Sequence, residues 1–411
     1  MFRSNSAIVA PAKAAAPAVA PHFVGEAHLL QNYARAPIEI VRGEGCELID
    51  STGKRYLDFV AGIAVCSLGH ARPEITEAIA RQAGTLVQAS NLFYHEPAGT
   101  LANELAARSG LGRVFFCNSG SEANEAAFKL ARKRAFRRGE SRRTILACEG
   151  SFHGRTYGAL AATANKHYQE GFEPIPGGFE HVAFNDIAAL EAAFDDSVVA
   201  FIVEPVQGES GVKPATKAFL EAARRLCDEH GALLIFDEIQ SGMGRLGTLF
   251  AFQSFGVRPD LVTMAKALAN GLPIGAVLID EASASALQPG DHGSTFGGSP
   301  VPCAAALAHL AVRDRIDLDA HVAAMSARLF AGLGALAHAH PGVFAPPRGL
   351  GLMLGLPVRE PHEAKALATA ARERESLLIN AAGDNTLRFV PPLIVSAEQI
   401  DDGLARLARI V

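Results

Sequence analysis

Residues 263–276 read TMAKALANGLPIGA, in which Lys266 is the one charged side chain. A buried ammonium has to be paired, neutralised or used covalently. Condensation with an aldehyde would meet that demand, and so would a lysine that snorkels to water. The residues that end other apolar runs bear on the choice.

In ALLIFDEIQSGMGRLG (232–247), Asp237 and Glu238 follow five apolar residues, where an unpaired carboxylate is expensive. Asp237 therefore faces a cation or a protonated ring nitrogen, with a salt bridge or a magnesium ligand as the other readings. Gln240 lies two residues beyond Glu238, within reach of the same pocket. VFFCNSGSEANEAAFKLAR (114–132) runs from a strand into Asn-Ser-Gly-Ser and straight into a helix, with Ser119 and Glu122 at capping-box spacing. The opening turn suits a phosphate, although Ser-Gly-Ser alone is equally an ordinary cap.

FIVEPVQGESG (201–211) brings Glu204, Gln207 and Glu209 to one loop, either beside a ligand or as a solvated acidic turn. SFHGRT (151–156) sets Phe152 after a strand, able to lie on a flat heterocycle or to pack in the core, with Arg155 three residues on. HGSTFGGSP (292–300) offers Ser294 and Thr295 as phosphate donors. In TLRFVPPLIV (386–395), Arg388 sits inside an apolar run, where a bidentate carboxylate would best justify it. A lysine for an aldehyde carbon, an acid for a pyridine nitrogen and an anion cradle together are what pyridoxal phosphate requires.

The elements that hold these residues alternate. Between about residues 91 and 277, apolar runs at 114–117, 144–148, 200–205, 232–238 and 261–266 are separated by helical patterns. This is the pattern of an α/β unit with a mostly parallel sheet. GCELIDSTGKRYLDFVAG (45–62) carries a hairpin signal. Beyond an Ala-rich helical region, the C-terminal part gives short strands, a helix, LRFVPPLIV and a last helix opened by Ser396 and Gln399. The two ends of the chain are expected to build a smaller α+β domain, with boundaries at 25–75, 76–312 and 313–411. The Ala- and Pro-rich residues 1–24 read as a flexible tail.

The chain has 411 residues, 49% hydrophobic and 20% charged, enough for a large core. A net charge of −5 gives no general attraction to nucleic acid or anionic membranes, and no apolar run nears the roughly 20 residues that span a bilayer. The basic run KLARKRAFRRGESRR (129–143) reads as the wet face of a helix. Six scattered cysteines form neither a zinc pattern nor a disulfide framework, which suits a reducing cytoplasm.

Taken together, NSGSEANEAAFKLAR, SFHGRTYGAL, EPVQGESG, LLIFDEIQSGMGRLG, TMAKALANGLPIGA, HGSTFGGSP and LRFVPPL resemble the class III, fold-type I pyridoxal phosphate aminotransferases, from about residue 27 to the C terminus. The resemblance implies a large domain with a mostly parallel seven-stranded sheet and a smaller α+β domain. It implies that Lys266 holds the cofactor aldehyde, Asp237 pairs with the ring nitrogen and Phe152 stacks on the ring. Gly120 and Ser121 would bind the phosphate, and Glu238, Ile239 and Gln240 would contact the cofactor. Thr295 would reach the phosphate of a neighbouring subunit in a homodimer with shared active sites.

By the same likeness, Arg155 and Ser294 would contact N2-acetylornithine. Arg388 would take the α-carboxylate of glutamate or 2-oxoglutarate, with Glu209 covering it at other times. Succinylornithine, ornithine and 4-aminobutyrate are the alternative amines. Ornithine-specific members carry a tyrosine where this chain has Ile63, and an apolar residue there suits an acylated nitrogen. Ser299 stands for the usual asparagine of GGNP and Ser210 for a glycine of QGEGG.

Overall fold

A computed structural model describes Phe23 and residues 26–411, so the tail expected over residues 1–24 lies, Phe23 apart, outside the described residues. At its centre is a seven-stranded sheet. The strands are β1 (Arg113–Cys117), β2 (Thr144–Cys148), β3 (Phe179–Val182), β4 (Val198–Val203), β5 (Leu233–Asp237), β6 (Leu261–Met264) and β7 (Gly275–Ile279). They lie in the order β1-β7-β6-β5-β4-β2-β3. β7 runs antiparallel to β6 and β1, and the remaining pairs are parallel.

β4, β5 and β6 are buried along their whole length, which is why they read as unbroken apolar runs. The two strands that the apolar runs did not mark have local reasons. β3 is an edge strand with Glu180 and His181 in its middle, and β7 follows the Gly-Leu-Pro turn directly. Because β1, β2, β4, β5 and β6 point the same way, their carboxyl ends deliver Asn118, Glu149, Glu204, Asp237 and Ala265 to one edge of the sheet. Ligands bind at such an edge in open α/β sheets.

Helix α1 (Gly120–Arg137) leaves that edge after β1. Its cap Ser119 accepts from the Glu122 amide, and Glu122 reaches back to the Asn118 amide at 2.5 Å. Ala123, Ala126, Ala127, Phe128 and Leu130 seat the helix on the sheet. The basic run was expected as a wet face, but many of its cations tie down neighbouring elements. Arg132 donates to the carbonyls of Arg143, Gly177 and Gly178, Arg142 to those of Val198, His230 and Gly231, and Lys133 and Arg137 hold Asp291. Carbonyls at the ends of elements lack intrinsic partners, and arginine forks supply them.

Both ends of the chain meet beside this sheet. Glu47–Asp50 and Arg55–Asp58 form the hairpin, closed by Asp50, whose carboxylate accepts from the amides of Thr52 and Lys54. Leu377–Leu378, more than three hundred residues later, pairs in parallel with Arg55–Asp58. A second four-stranded sheet from residues 348–389 carries Arg388, opposite Gly355 on one side and Asn380 on the other. The last helix, α3 (Ala397–Ala408), begins with the reciprocal Ser396–Gln399 capping box. Before it, α2 (Leu318–Ala339) is apolar and 22 residues long; it buries one stripe that includes Val322, Leu329 and Leu333 and pairs Arg328 with Asp401 of α3.

One local feature departs from anything the sequence pattern signals. Residues Ala61, Gly62, Ile63 and Ala64 all have positive φ, between 49° and 66°, and form one left-handed turn. A β-branched residue there is strained. The turn is held by Asp58, whose Oδ1 accepts from the amides of Val60 and Ala61.

Candidate active site

The carboxyl edge of the sheet opens onto a cavity of about 330 Å³. Lys266, Asp237, Gly120, Ser121, Phe152, Ile239, Gln240 and Glu209 all line it, together with His153, Glu204 and Val65. Lys266 follows β6 at the head of a short 3-10 turn and itself has φ 46°. Burial lowers the affinity of its amine for a proton, and the charges of Glu209, then Asp237 and Glu204, oppose that fall while Arg388 adds to it. An amine below the usual lysine range spends more time neutral, the state that attacks an aldehyde or takes a proton.

Asp237 ends β5 and is 3% exposed. Its Oδ2 accepts from Asn124 Nδ2 at 2.8 Å and lies 2.7 Å from His153 Nδ1, while Oδ1, among the described residues, accepts only from the Ile239 amide at 3.1 Å. One oxygen is thus held by two side chains and the other keeps a lone pair for a guest. Neither His153 nor Asn124 stood out in the sequence as a site residue, although both lie inside motifs that did. Asn124 Nδ2 also donates to the His153 carbonyl at 2.7 Å, which joins the two supports. Glu204, just past β4, accepts from the amides of Phe152 and Gly208. Burial pushes its carboxyl up to about 7, with His153 opposing the rise and Asp237 adding to it.

The anion cradle is built from backbone. A Cβ on Gly120 would meet Ile239 Cδ1 at 2.7 Å, so only glycine lets the first turn of α1 approach the wall formed by Ile239. The opening amides of a helix have no intrahelical acceptor, and Gly120 and Ser121, the first two residues of α1, line the cavity. The Ser121 hydroxyl accepts from the Arg155 amide at 3.3 Å.

Arg388 is 1% exposed. Its Nη1 pairs with Glu209 Oε1 at 2.5 Å and donates to Gln240 Oε1 at 3.3 Å, and its Nε donates to Asn380 Oδ1 at 3.3 Å. Burial works to raise the carboxyl pKa of Glu209, but Arg388 and then Lys266 hold it below the usual range. The loop that carries Glu209 is fixed on both sides. Gln207 donates to the Glu149 carbonyl, Ser210 Oγ donates to Gln207 Oε1, and Arg348 Nε donates to the Gly211 carbonyl.

Four expected contacts lie elsewhere. Glu238 is not among the residues lining the cavity; its two oxygens accept from the amides of Ala251 and Phe252 at 2.6 and 2.7 Å. Adjacent residues at a strand end face opposite sides, so Asp237 and Glu238 cannot share one pocket. Arg155 is exposed and lies 3.7 Å over the Tyr168 ring, beside Phe152. Ser294 and Thr295 line a neighbouring cavity of about 310 Å³ with Asn118, Glu122 and His292. Ser294 Oγ there accepts from Asn118 Nδ2 at 3.0 Å.

The main cavity fits pyridoxal phosphate: an amine, an acid with a free oxygen, an aromatic wall at Phe152 and a glycine-opened anion cradle converge on it. Comparison with known proteins agrees with this chemistry. The family model described as aminotransferase class-III matches residues 30–411. The chain is similar to the acetylornithine aminotransferase of Gloeobacter violaceus, at 47% identity over 93% of this chain and 95% of that one. It is also similar to that of Xylella fastidiosa, at 49% identity over 92% and 94%. Among solved structures, the ornithine aminotransferase of Toxoplasma gondii superposes with a TM-score of 0.90 at 33% identity, covering 94% of this chain and 93% of that one. The N-acetylornithine aminotransferase of Stenotrophomonas maltophilia does so with 0.80 at 40% identity, covering 92% and 96%. The chain therefore belongs to the class-III aminotransferases, enzymes that work with pyridoxal phosphate on this fold.

Proposed function

We propose that this enzyme transfers the terminal amine of N2-acetylornithine to 2-oxoglutarate, giving N-acetylglutamate 5-semialdehyde and glutamate, a step toward arginine. The observation that carries the reading is one cavity lined by Lys266, Asp237 and Glu209, with Glu209 in turn paired to the buried Arg388. The choice of amine is supported by 45–49% identity to relatives named acetylornithine aminotransferase over nearly their full length. Ile63 in place of a tyrosine supports it too. The Toxoplasma structure favours ornithine by TM-score, but its lower identity makes that a likeness of backbone more than of pocket.

Bound to Lys266, pyridoxal phosphate supplies an electron sink for the carbon that bears the substrate amine. Freed when the substrate amine takes its place, the Lys266 amine would move the proton at that carbon as general base and acid, a task its lowered pKa suits. Asp237 would keep the ring nitrogen protonated, with His153 and Asn124 holding the carboxylate oriented. Gly120 and Ser121 would hold the phosphate and Phe152 would cover the ring. Arg388 receives a substrate carboxylate when Glu209 turns away, and Glu209 covers the guanidinium when the amine donor has no carboxylate for it.

A homodimer completes the site in this reading. Thr295 is exposed on a turn next to Val87, Leu92, Phe93, Tyr94 and Phe296, all exposed and apolar, and a second copy of the chain covers that face. Thr295 then reaches the partner's phosphate cradle, while Arg155 and Ser294 contact the acylated substrate. Residues 25–75 and 313–411 form the smaller domain around a large domain of 76–312, a division supported by the pairing of Leu377–Leu378 with Arg55–Asp58.

The test is a half-reaction. Holoenzyme mixed separately with N-acetylornithine, N-succinylornithine, ornithine and 4-aminobutyrate should lose its cofactor absorbance fastest with N-acetylornithine. Equal or faster loss with free ornithine would overturn the choice of substrate.

A further inference from the structure

The turn at residues 294–297 is held from one side by two side-chain amides. Gln88 Nε2 donates to the Thr295 carbonyl at 3.0 Å and to Ser299 Oγ at 3.1 Å. Asn91 Nδ2 donates to the carbonyls of Ser294 and Gly297 at 2.9 and 3.0 Å. A primary amide has two donor hydrogens, so both residues spend their full donor capacity on this turn. The amide of Gln88 is oriented by its own segment, because its Oε1 accepts from the amides of Ala89 and Ser90 at 2.8 and 2.9 Å.

The opposite side of the turn is fixed as well. A Cβ on Gly297 would meet the Phe116 carbonyl oxygen at 2.2 Å, and Gly298 has φ 75°. An exposed turn needs none of this, since water satisfies its carbonyls. Here the carbonyls of Ser294, Thr295 and Gly297 are taken by residues of the same segment that bears Val87, Leu92, Phe93 and Tyr94.

We infer that Gln88 and Asn91 are positioning residues that lock the Thr295 turn to the apolar face, so that covering this face by a second copy delivers Thr295 into the other subunit's cofactor site. The inference rests on the homodimer reading above. Ser299 belongs to the same lock, as the second acceptor of Gln88. The lock acts in trans: a subunit with a loosened turn spoils its partner's cradle and leaves its own intact.

The experiment uses the variant Gln88→Ala/Asn91→Ala and mixed dimers of it with Lys266→Ala, isolated by two affinity tags. The apoprotein is titrated with pyridoxal phosphate, and covalently held cofactor is trapped with borohydride and counted. The double variant homodimer should sediment as a dimer and bind the cofactor roughly tenfold more weakly, the loss of about one good hydrogen bond's worth of alignment. In the mixed dimer, the subunit that keeps its lysine faces the intact turn of the Lys266→Ala subunit, and its affinity should return to that of the wild type.

A mixed dimer that keeps the weakened affinity would show that the two amides merely stabilise their own chain and would overturn the inference. Unchanged affinity in the double variant homodimer would overturn it as well. If the wild-type protein sediments as a monomer with full activity, the homodimer reading itself falls, an outcome separate from both.

Discussion

Glu204 offers a test of the electrostatics in the cavity. Its carboxyl rises from 4.5 to about 7 through burial, and among the described residues its oxygens accept only from backbone amides, at 2.9 and 3.4 Å. Between those two values the folded chain keeps a proton that the unfolded chain has released. Stability contributed by this group is therefore full below about pH 4.5, falls as the pH rises through the window, and is gone above about 7. Each pH unit across the window is worth about 1.4 kcal/mol for one proton, so the whole fall is about 3 kcal/mol.

Replacement by glutamine removes the titration but keeps an acceptor for the Phe152 amide. The assay is denaturant unfolding of the cofactor-free protein from pH 5 to 8, for the wild type and Glu204→Gln. Glu238, raised by burial to about 8, and His70, raised to about 9 by its bonds to Asp58 and Cys66 against the opposing effect of burial, titrate in both proteins and cancel in the difference. The wild type should lose about 3 kcal/mol relative to the variant across that range. Parallel profiles would mean that Glu204 is ionised throughout, and the account of a protonated acid beside Asp237 would be wrong.

Other perturbations reach other parts of the site. His153→Leu takes one of two side-chain partners from Asp237 Oδ2, a charge-assisted bond worth about 1.5–3 kcal/mol, so cofactor affinity measured by apoprotein titration should fall roughly tenfold or more. His153→Asn can still donate and should recover most of it. Glu209→Gln removes the anion that covers Arg388, so half-reaction kinetics should show glutamate binding several-fold more tightly, by about 1 kcal/mol. Unchanged glutamate kinetics would remove Glu209 from that role. Ile63→Gly relieves a β-branched residue at φ 66°, but the freer unfolded chain and the lost burial of a side chain 42% exposed offset that gain, so unfolding free energy in denaturant melts should stay within about 1 kcal/mol of the wild type.

What the sequence makes legible here is whatever depends on the ends of buried strands. Lys266, Asp237, Glu209 and the Gly120–Ser121 turn stand out because a polar residue after an apolar run has to be accounted for, and the parallel sheet brings such residues to one edge. The supports of those residues are hidden because they come from afar. His153 and Asn124 lie 84 and 113 positions from Asp237, and nothing local marks them as its partners. Glu238 misleads for the converse reason: it adjoins Asp237 in sequence, yet the alternation of a strand turns it toward the amides of Ala251 and Phe252.

The backbone of Lys266 shows why distant supports are needed. Both Lys266 and Asn270 are left-handed, at φ 46° and 49°, and they bracket the 3-10 turn that sets the amine at the cavity. For residues other than glycine that conformation costs about 1–2 kcal/mol each. Asn270 meets part of the cost from outside the turn: its Oδ1 accepts from the Leu68 amide at 2.8 Å and its Nδ2 donates to the Gly69 carbonyl at 3.0 Å. Leu68 and Gly69 follow the strained turn Ala61–Ala64 and Val65 on the cavity wall. Two strained segments that border the cavity are thus joined through one side-chain amide. The geometry at the Lys266 nitrogen is a property of the assembled fold, which is why a pattern read along the chain finds the lysine but not the way it is held.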